Sequence, residues 1–302
     1  MKKEYSYLVS ICLCISSMVS IFLLIIKMII WWSTGSVSLL ASLIDSLFDI
    51  IISIINIIVV RYSLQPADKE HAFGHGKAES LSALAQAMFI SGSSFFLILN
   101  GVERYFHPYK LHSPEYGIYV SLVAIVITYA LVSFQKYVLE KTNSQAIAAD
   151  FLHYKADLYM NVAVILALGF SYYGIEEADS IFAIGIGFCI LYSAFKMLVG
   201  AINNLLDHKL PDDEIEKILS TCLSTKGVLG VHDLRTRMSG PVRFIQFHLE
   251  LQDQIPLLEA HNISDKVEAK LLKLFPEADI MIHQDPRSII SKKEKKRPGR
   301  TI

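Results

Sequence analysis

The sequence predicts an α-helical membrane protein of six transmembrane helices, followed by a C-terminal cytoplasmic α+β domain in the order helix-strand-strand-helix-strand. Three observations predict it. Six apolar stretches come near the length a helix needs to cross a bilayer, about 17–25 residues or more when tilted. They run roughly over 7–32, 37–62, 79–101, 115–138, 144–172 and 179–201. The chain of 302 residues is 53% hydrophobic with a mean hydropathy of +0.42, and those stretches account for it. After about residue 202 the long apolar runs stop. The expected organisation is a transmembrane domain over 1–201, a linker over 202–210, a cytoplasmic domain over 211–287 and a basic tail over 288–302.

The first stretch is too long for a signal-peptide core and has no small-residue cleavage pattern after it, so it is read as a retained span. Trp31 and Trp32 end it, where interfacial aromatics are expected. The second carries Asp45 and Asp49 in an otherwise almost wholly apolar run. The third is the least hydrophobic, with Gln86 and several serines. The fifth is the most polar, because it carries His153, Lys155 and Asp157.

Orientation follows from Lys and Arg. With the N-terminus inside, the inner flanks hold Lys2, Lys3, Arg61, Lys69, Lys77, Lys136, Lys141, Lys196 and Lys209. The outer flanks hold Arg104 and Lys110, with Lys27 read as snorkelling outward, and one acidic loop with Glu176, Glu177 and Asp179. The positive-inside rule then places both termini in the cytoplasm.

In the C-terminal part, Asp212 to Thr225 reads as an amphipathic helix that starts at Pro211-Asp212. Val228 to Met238 and Val242 to Gln252 read as two strands about the turn Ser239-Gly240-Pro241. Leu257 to Phe275 reads as a second helix and Ala278 to Gln284 as a third strand, which makes a small sheet with helices on one face. The tail from Ser291, rich in Lys and Arg, is read as disordered and solvated, able to touch anionic lipid.

A formal net charge of −1 argues against a nucleic-acid-binding surface. Cys12, Cys14, Cys189 and Cys222 form no CxxC pair, so neither a disulfide framework nor a zinc ribbon is expected.

The chemistry concentrates in three places. Asp45 and Asp49 are i, i+4, as are His153 and Asp157, so each pair lies on one helix face. A charged Asp at the centre of a span costs about 2.5–3.5 kcal/mol, so three cost roughly 8–10 before pairing. A divalent cation held between the two helices offsets that cost most simply. Three oxygens and one imidazole nitrogen suit tetrahedral Zn²⁺ and tolerate Fe²⁺, Cd²⁺, Co²⁺ or Mn²⁺, whereas the lack of sulfur ligands argues against Cu(I). The alternative is pairing with Lys155 or with polar groups of other helices. Asn161 lies one turn beyond Asp157 and is placed beside the site.

Asp68, His71 and His75 can converge in a short loop, with Gly74 and Gly76 permitting the turns. A metal site and a solvated loop both fit that spacing. His232, His248, His261, His283 and Asp285 crowd the C-terminal part, and His283 and Asp285 share one face of a strand. A metal cluster and ordinary surface histidines both remain open there. His107, His112 and His208 are read as structural.

The motifs Leu43-Ile-Asp45-Ser-Leu-Phe-Asp49, Asp68…His71-Ala-Phe-Gly-His75-Gly-Lys77-Ala-Glu79 and Asp150-Phe-Leu-His153-Tyr-Lys-Ala-Asp157 together resemble the cation diffusion facilitator family, in particular its bacterial zinc and ferrous-iron efflux branch. The likeness runs from the first span to about Arg287. It implies an inner-membrane homodimer that exchanges metal for protons. Asp45, Asp49, His153 and Asp157 would form the transport site, with His153 and Asp157 coupling to protons. Asp68, His71 and His75 would form a loop site. His232, His248, His261, His283 and Asp285 would form a two-metal cluster in a metallochaperone-like domain at the dimer interface. Lys77 and Asp207 would make a charge pair between the domains, and Leu152 an apolar gate. Asp rather than His at position 45 goes, in that family, with a range of metals broader than Zn²⁺ alone, including Fe²⁺ and Cd²⁺. The partners implied are metal ions, protons, lipid and a second copy of the chain, not nucleic acid.

An enzyme is not expected: no span carries the HExxH of an intramembrane metalloprotease. A proton-independent metal channel or uniporter, and an uptake carrier, use the same ligands. A tight four-ligand site suits a carrier better than a channel, since conduction needs weak or multiple sites.

Overall fold

The computed structural model describes residues 2–34, 37–107, 114–172 and 178–288. Two compact units divide the chain, one over Lys3–Ile202 and the other essentially from Asn203 onward.

Among the described residues the first unit holds six helices: α1 (Lys2–Thr34), α2 (Val37–Ser63), α3 (Lys77–Phe106), α4 (Pro114–Thr142), α5 (Gln145–Tyr172) and α6 (Ala178–Leu205). Among the described residues, stretches of α1, α3, α4 and α6 are long and apolar enough to cross a membrane by length and composition. The carboxylates read in the sequence fall on the other two, α2 and α5. α2 ends where Ser63 Oγ turns back on the Val60 carbonyl at 2.8 Å, before Pro66. α4 and α5 are joined by Asn143 and Ser144 alone. Asn143 takes φ +49° after the last turn of α4, a conformation Asn tolerates. Ser144 then accepts the Ile147 N–H at 3.3 Å to start α5.

Small residues let helices approach closely, as expected where apolar solvent supplies no hydrophobic drive. A Cβ on Gly187 of α6 would lie 2.6 Å from Ile98 of α3, and one on Gly101 of α3 would lie 2.8 Å from Ile184. One apolar cluster joins Val9, Cys12 and Leu13 of α1 to Val60, Val138, Ala146 and Ile147. Another joins Ile90, Ile190 and Ala194, with Leu152 and Ala156 packed on it.

The second unit has the order read in the sequence: α7 (Asp212–Leu223), β1 (Gly230–Ser239), β2 (Val242–Leu251), α8 (Leu257–Leu274) and β3 (Asp279–Pro286). The sheet order is β1-β2-β3. β1 and β2 are antiparallel, and β3 runs parallel to β2 after the α8 crossover. On β2, Ile245, Phe247, Leu249 and Leu251 point into a core with Ile218, Cys222, Ile263, Val267 and Leu271 of the two helices. Gln246, His248 and Glu250 alternate onto the other face. Arg243 ties β2 to α7 through two 2.8 Å bonds to Glu214. All four cysteines are free. The basic tail and the acidic loop residues Glu176 and Glu177 lie outside the described residues.

Candidate metal centres

α2 and α5 bring together three of the four residues read in the sequence as a transport site. His153 Nε2 lies 3.1 Å from Asp49 Oδ1 and 3.7 Å from Asp157 Oδ2. One ligand atom from each of the three lies within 4.8 Å of the others, the spread a single ion can bridge. The backbone of α2 puts Asp45 one turn before Asp49, but its side chain lies outside those described. Asp49, His153 and Asp157 line a cavity of about 520 Å³ with polar groups from several helices, among them Ser20, Lys27, Ser93 and Thr128.

Neighbours position this group. Lys155 lies over the rings of Phe151 and Tyr159 at 5.5 and 5.6 Å, away from the ligands as its spacing predicts. Asn161 donates at 2.8 Å to the backbone carbonyl of Asp157, so it braces the helix rather than the carboxylate. Lys27 departs from its expected outward reach: its Nζ donates to buried Ser46 Oγ at 2.7 Å, and it lines the ligand cavity. A polar ledge missed in the sequence lies beneath. Buried Asp150 accepts from Gln135 Nε2 at 2.8 Å, and the same amide donates to Ser16 Oγ at 3.0 Å. Glu79 is a second missed hub. It accepts from Tyr5 Oη at 2.7 Å, from the Ser144 hydroxyl and from the Ala146 N–H at 3.3 Å, so it joins α1, α3 and the start of α5.

The loop between α2 and α3 gathers all three expected residues. Asp68 Oδ1 lies 3.5 Å from His71 Nδ1, and its Oδ2 lies 3.4 Å from His75 Nε2. Backbone N–H groups of His71 and Glu70 donate to Asp68 Oδ1 at 2.6 and 2.9 Å. Those bonds, the His71 one first, hold the Asp68 carboxyl below its ordinary range, with help from the two imidazoles. Gly74 takes φ +78°, which lets the chain turn back. The His75 ring is buried against Tyr62, and its Nδ1 has no hydrogen-bond partner. A buried nitrogen without a partner beside a carboxylate and a second imidazole fits a cation.

In the second unit, strand register builds the site. His232, His248 and His283 are direct partners across β1, β2 and β3, so the three rings leave one face in a row. Asp285 stands two residues on. Its Oδ2 lies 2.7 Å from His248 Nδ1 and 3.4 Å from His232 Nε2, and its Oδ1 lies 3.3 Å from His283 Nε2. One carboxylate thus faces two groups of imidazoles with its two oxygens. His261 does not join them within one chain. It sits on α8, which packs on the opposite face of the sheet, and pairs with Asp265 at 3.5 Å.

Two groups here were not read in the sequence. Glu250 Oε1 lies 3.2 Å from His232 Nδ1, which leaves Nε2 toward Asp285. Asp233, at φ +50° in the bulge of β1, lies 3.9 Å from His248 Nε2. Asp207 pairs with Arg237 at 3.4 Å.

Comparison with known proteins covers nearly the whole chain. Residues 13–206 match the cation efflux transmembrane domain, and residues 210–287 match the cytoplasmic domain of cation efflux proteins. The chain belongs to the cation diffusion facilitator family. It is 55% identical over 297 residues to the cation-efflux pump FieF of Pectobacterium carotovorum, covering 98% of this chain and 99% of that protein. The FieF of Yersinia enterocolitica is 55% identical over 292 residues, 97% of each chain. The solved zinc form of CzrB aligns with 27% of this chain and 94% of its own, at 37% identity and a TM-score of 0.26. The chain is a membrane protein of the FieF type, and its family is one of transporters rather than enzymes.

Proposed function

We propose that this chain exports divalent metal ions, Zn²⁺ with Fe²⁺ and Cd²⁺, from the bacterial cytoplasm across the inner membrane in exchange for protons, working as a homodimer with both termini inside. The observation that carries this reading is the meeting of Asp49 Oδ1, His153 Nε2 and Asp157 Oδ2 across α2 and α5. Asp45, one turn away on α2, completes a four-ligand site. The names of the FieF relatives support the direction, efflux.

The ligand chemistry supports coupling. Each carboxylate oxygen and the imidazole nitrogen binds either the ion or a proton, not both. Facing the cytoplasm the deprotonated quartet takes the metal. Facing outward, protons compete for the same atoms, with His153 and Asp157 as the coupling groups, an imidazole ordinarily titrating at about 6.5. Leu152, in the apolar cluster beside the site, acts as a gate. Asp68, His71 and His75 would hold an ion at the loop. His232, His248, His283 and Asp285 would hold ions in the second unit, with His261 supplied from a second copy, and Lys77 with Asp207 would link the two units. Metal on these sites orders the dimer and shifts the carrier toward its active population.

The test is metal flux into proteoliposomes with a fluorescent Zn²⁺ reporter inside, with and without a pH gradient, for wild type and Asp49→Ala. Flux that follows the gradient and vanishes in the variant is expected. Flux that ignores the gradient would point to a channel or uniporter. An Asp157→Ala protein that exchanges metal for protons at the normal rate would refute the site.

A further inference from the structure

Lys27 is the one charged residue in α1 beyond Glu4. A lysine at such a position is ordinarily expected to reach for the headgroups. It turns inward instead. Its Nζ donates to Ser46 Oγ at 2.7 Å, and both residues line the cavity that holds Asp49, His153 and Asp157. Ser46 precedes Asp49 by three positions on α2, so the ammonium is anchored about one turn from a ligand carboxylate, on the same helix face. Among the described residues that line this cavity, Lys27 is the only Lys or Arg. A cation at membrane depth is expensive unless anions share its surroundings, and Asp49 and Asp157 line the same cavity as Lys27. The anions in this cavity are the carboxylates of the transport site.

We propose that Lys27 is a built-in counter-cation of the transport site, a residue that tunes how tightly the site holds a divalent ion. This rests on the transport role given to the quartet above. With the carboxylates deprotonated and no cargo bound, the ammonium balances part of their charge. With cargo bound, it repels the ion and speeds its release. The repulsion is substantial on any dielectric assumption. Even at the dielectric of water, a +1 and a +2 charge about 6 Å apart repel by enough to weaken binding about tenfold.

The test is concentration-dependent Zn²⁺ and Cd²⁺ flux in proteoliposomes made with the full-length protein, comparing wild type, Lys27→Met, Lys27→Arg and Asp49→Ala. Lys27→Met is expected to lower the KM by about tenfold or more while the maximal rate falls, because the ion is held too well. Lys27→Arg, which keeps the charge, is expected to restore both values. A merely structural lysine would not move KM and maximal rate downward together, nor be rescued by charge alone. Lys27→Gln keeps a hydrogen-bonding end and replaces the Met variant if that protein does not assemble. An unchanged KM and rate in the neutral variants, or a raised KM, overturns the proposal. Asp49→Ala separates the two readings. If it keeps full flux, the transport site itself is misassigned. If it loses flux while neutral Lys27 variants behave as wild type, only the role of Lys27 falls.

Discussion

Replacing Glu250 tests how the second unit prepares its imidazoles. Glu250 Oε1 accepts from His232 Nδ1 at 3.2 Å, which fixes the tautomer with Nε2 as the free lone pair, 3.4 Å from Asp285 Oδ2. Outer partners of this kind are worth about 10–100-fold in metal affinity. Glu250→Leu removes the acceptor and should cost that range. Glu250→Gln keeps an amide oxygen but loses the charge, and should cost about tenfold at most. Gly230 offers an independent route to the same effect. A Cβ there would lie 2.6 Å from Glu250 Cδ, so Gly230→Ala must push the carboxylate off its position. The assay is competition for Zn²⁺ against a chromophoric chelator, using the full chain with Asp49, Asp157 and Asp68 already changed to Ala so that the cluster around Asp285 dominates the signal. Equal affinity in Glu250→Leu and its parent would refute the argument that Glu250 orients His232.

Other perturbations read other parts of the molecule. Asp68 should titrate below its ordinary 3.8, seen by carboxyl ¹³C NMR. Because its folded value is depressed, the loop order it contributes is complete above the ordinary value and is lost as pH falls through the lower one. A midpoint at or above 3.8 would count against the backbone bonds from His71 and Glu70. Phe247→Ala empties a fully buried site in the second unit and should cost about 3–5 kcal/mol, measured as a lowered denaturation midpoint of that unit. A change under about 1 kcal/mol would mean the core collapses around the gap. Glu79→Ala strands the Tyr5 hydroxyl and the Ala146 N–H, at about 1–3 kcal/mol for each donor left unsatisfied. It should lower the melting temperature of the membrane unit, and an unchanged melt would show that water replaces the carboxylate.

The approach of Asp49 to His153 and Asp157 was legible because i, i+4 spacing is a local rule that needs no knowledge of neighbours, while the Asp45 side chain lies outside those described. The same holds for the loop, where Asp68, His71 and His75 are too close in sequence to stray far. The second unit was legible in its element order and only partly in its site. His232, His248 and His283 fell on the right strands, but their alignment in one row depends on register, and the bulge between His232 and Arg235 resets register partway along β1. Glu250 and Asp233 enter the site only once that register is known. His261 was grouped with the cluster by composition and by likeness, while α8 carries it on the other side of the sheet from the row. Lys27 was read outward because position in a span suggests depth but not direction. Ser46, a polar group on the carboxylate-lined cavity, accepts its ammonium there, and no pattern within α1 alone signals that.

The three candidate centres differ in what surrounds what, and the difference bears on their tasks. At the loop a single carboxylate sits amid imidazoles, and in the second unit Asp285 is the carboxylate that reaches three imidazoles, with Glu250 beside His232 and Asp233 beside His248. Asp68 uses one oxygen toward each of two histidines, and Asp285 divides its oxygens among three. Between α2 and α5 the order is inverted, with one imidazole between carboxylates. A divalent ion on one carboxylate and neutral imidazoles, as at the loop, leaves a net positive site, which is stable where water and anions are near. In a span that excess would be costly. Two or three carboxylates instead neutralise the ion, and protons taking its place neutralise them again, so charge within the membrane changes little as cargo is exchanged. An imidazole-rich centre suits an ion that stays, and a carboxylate-rich centre suits one that must be traded for protons. That contrast favours the α2–α5 site as the one that moves metal and the other two as sites that hold it.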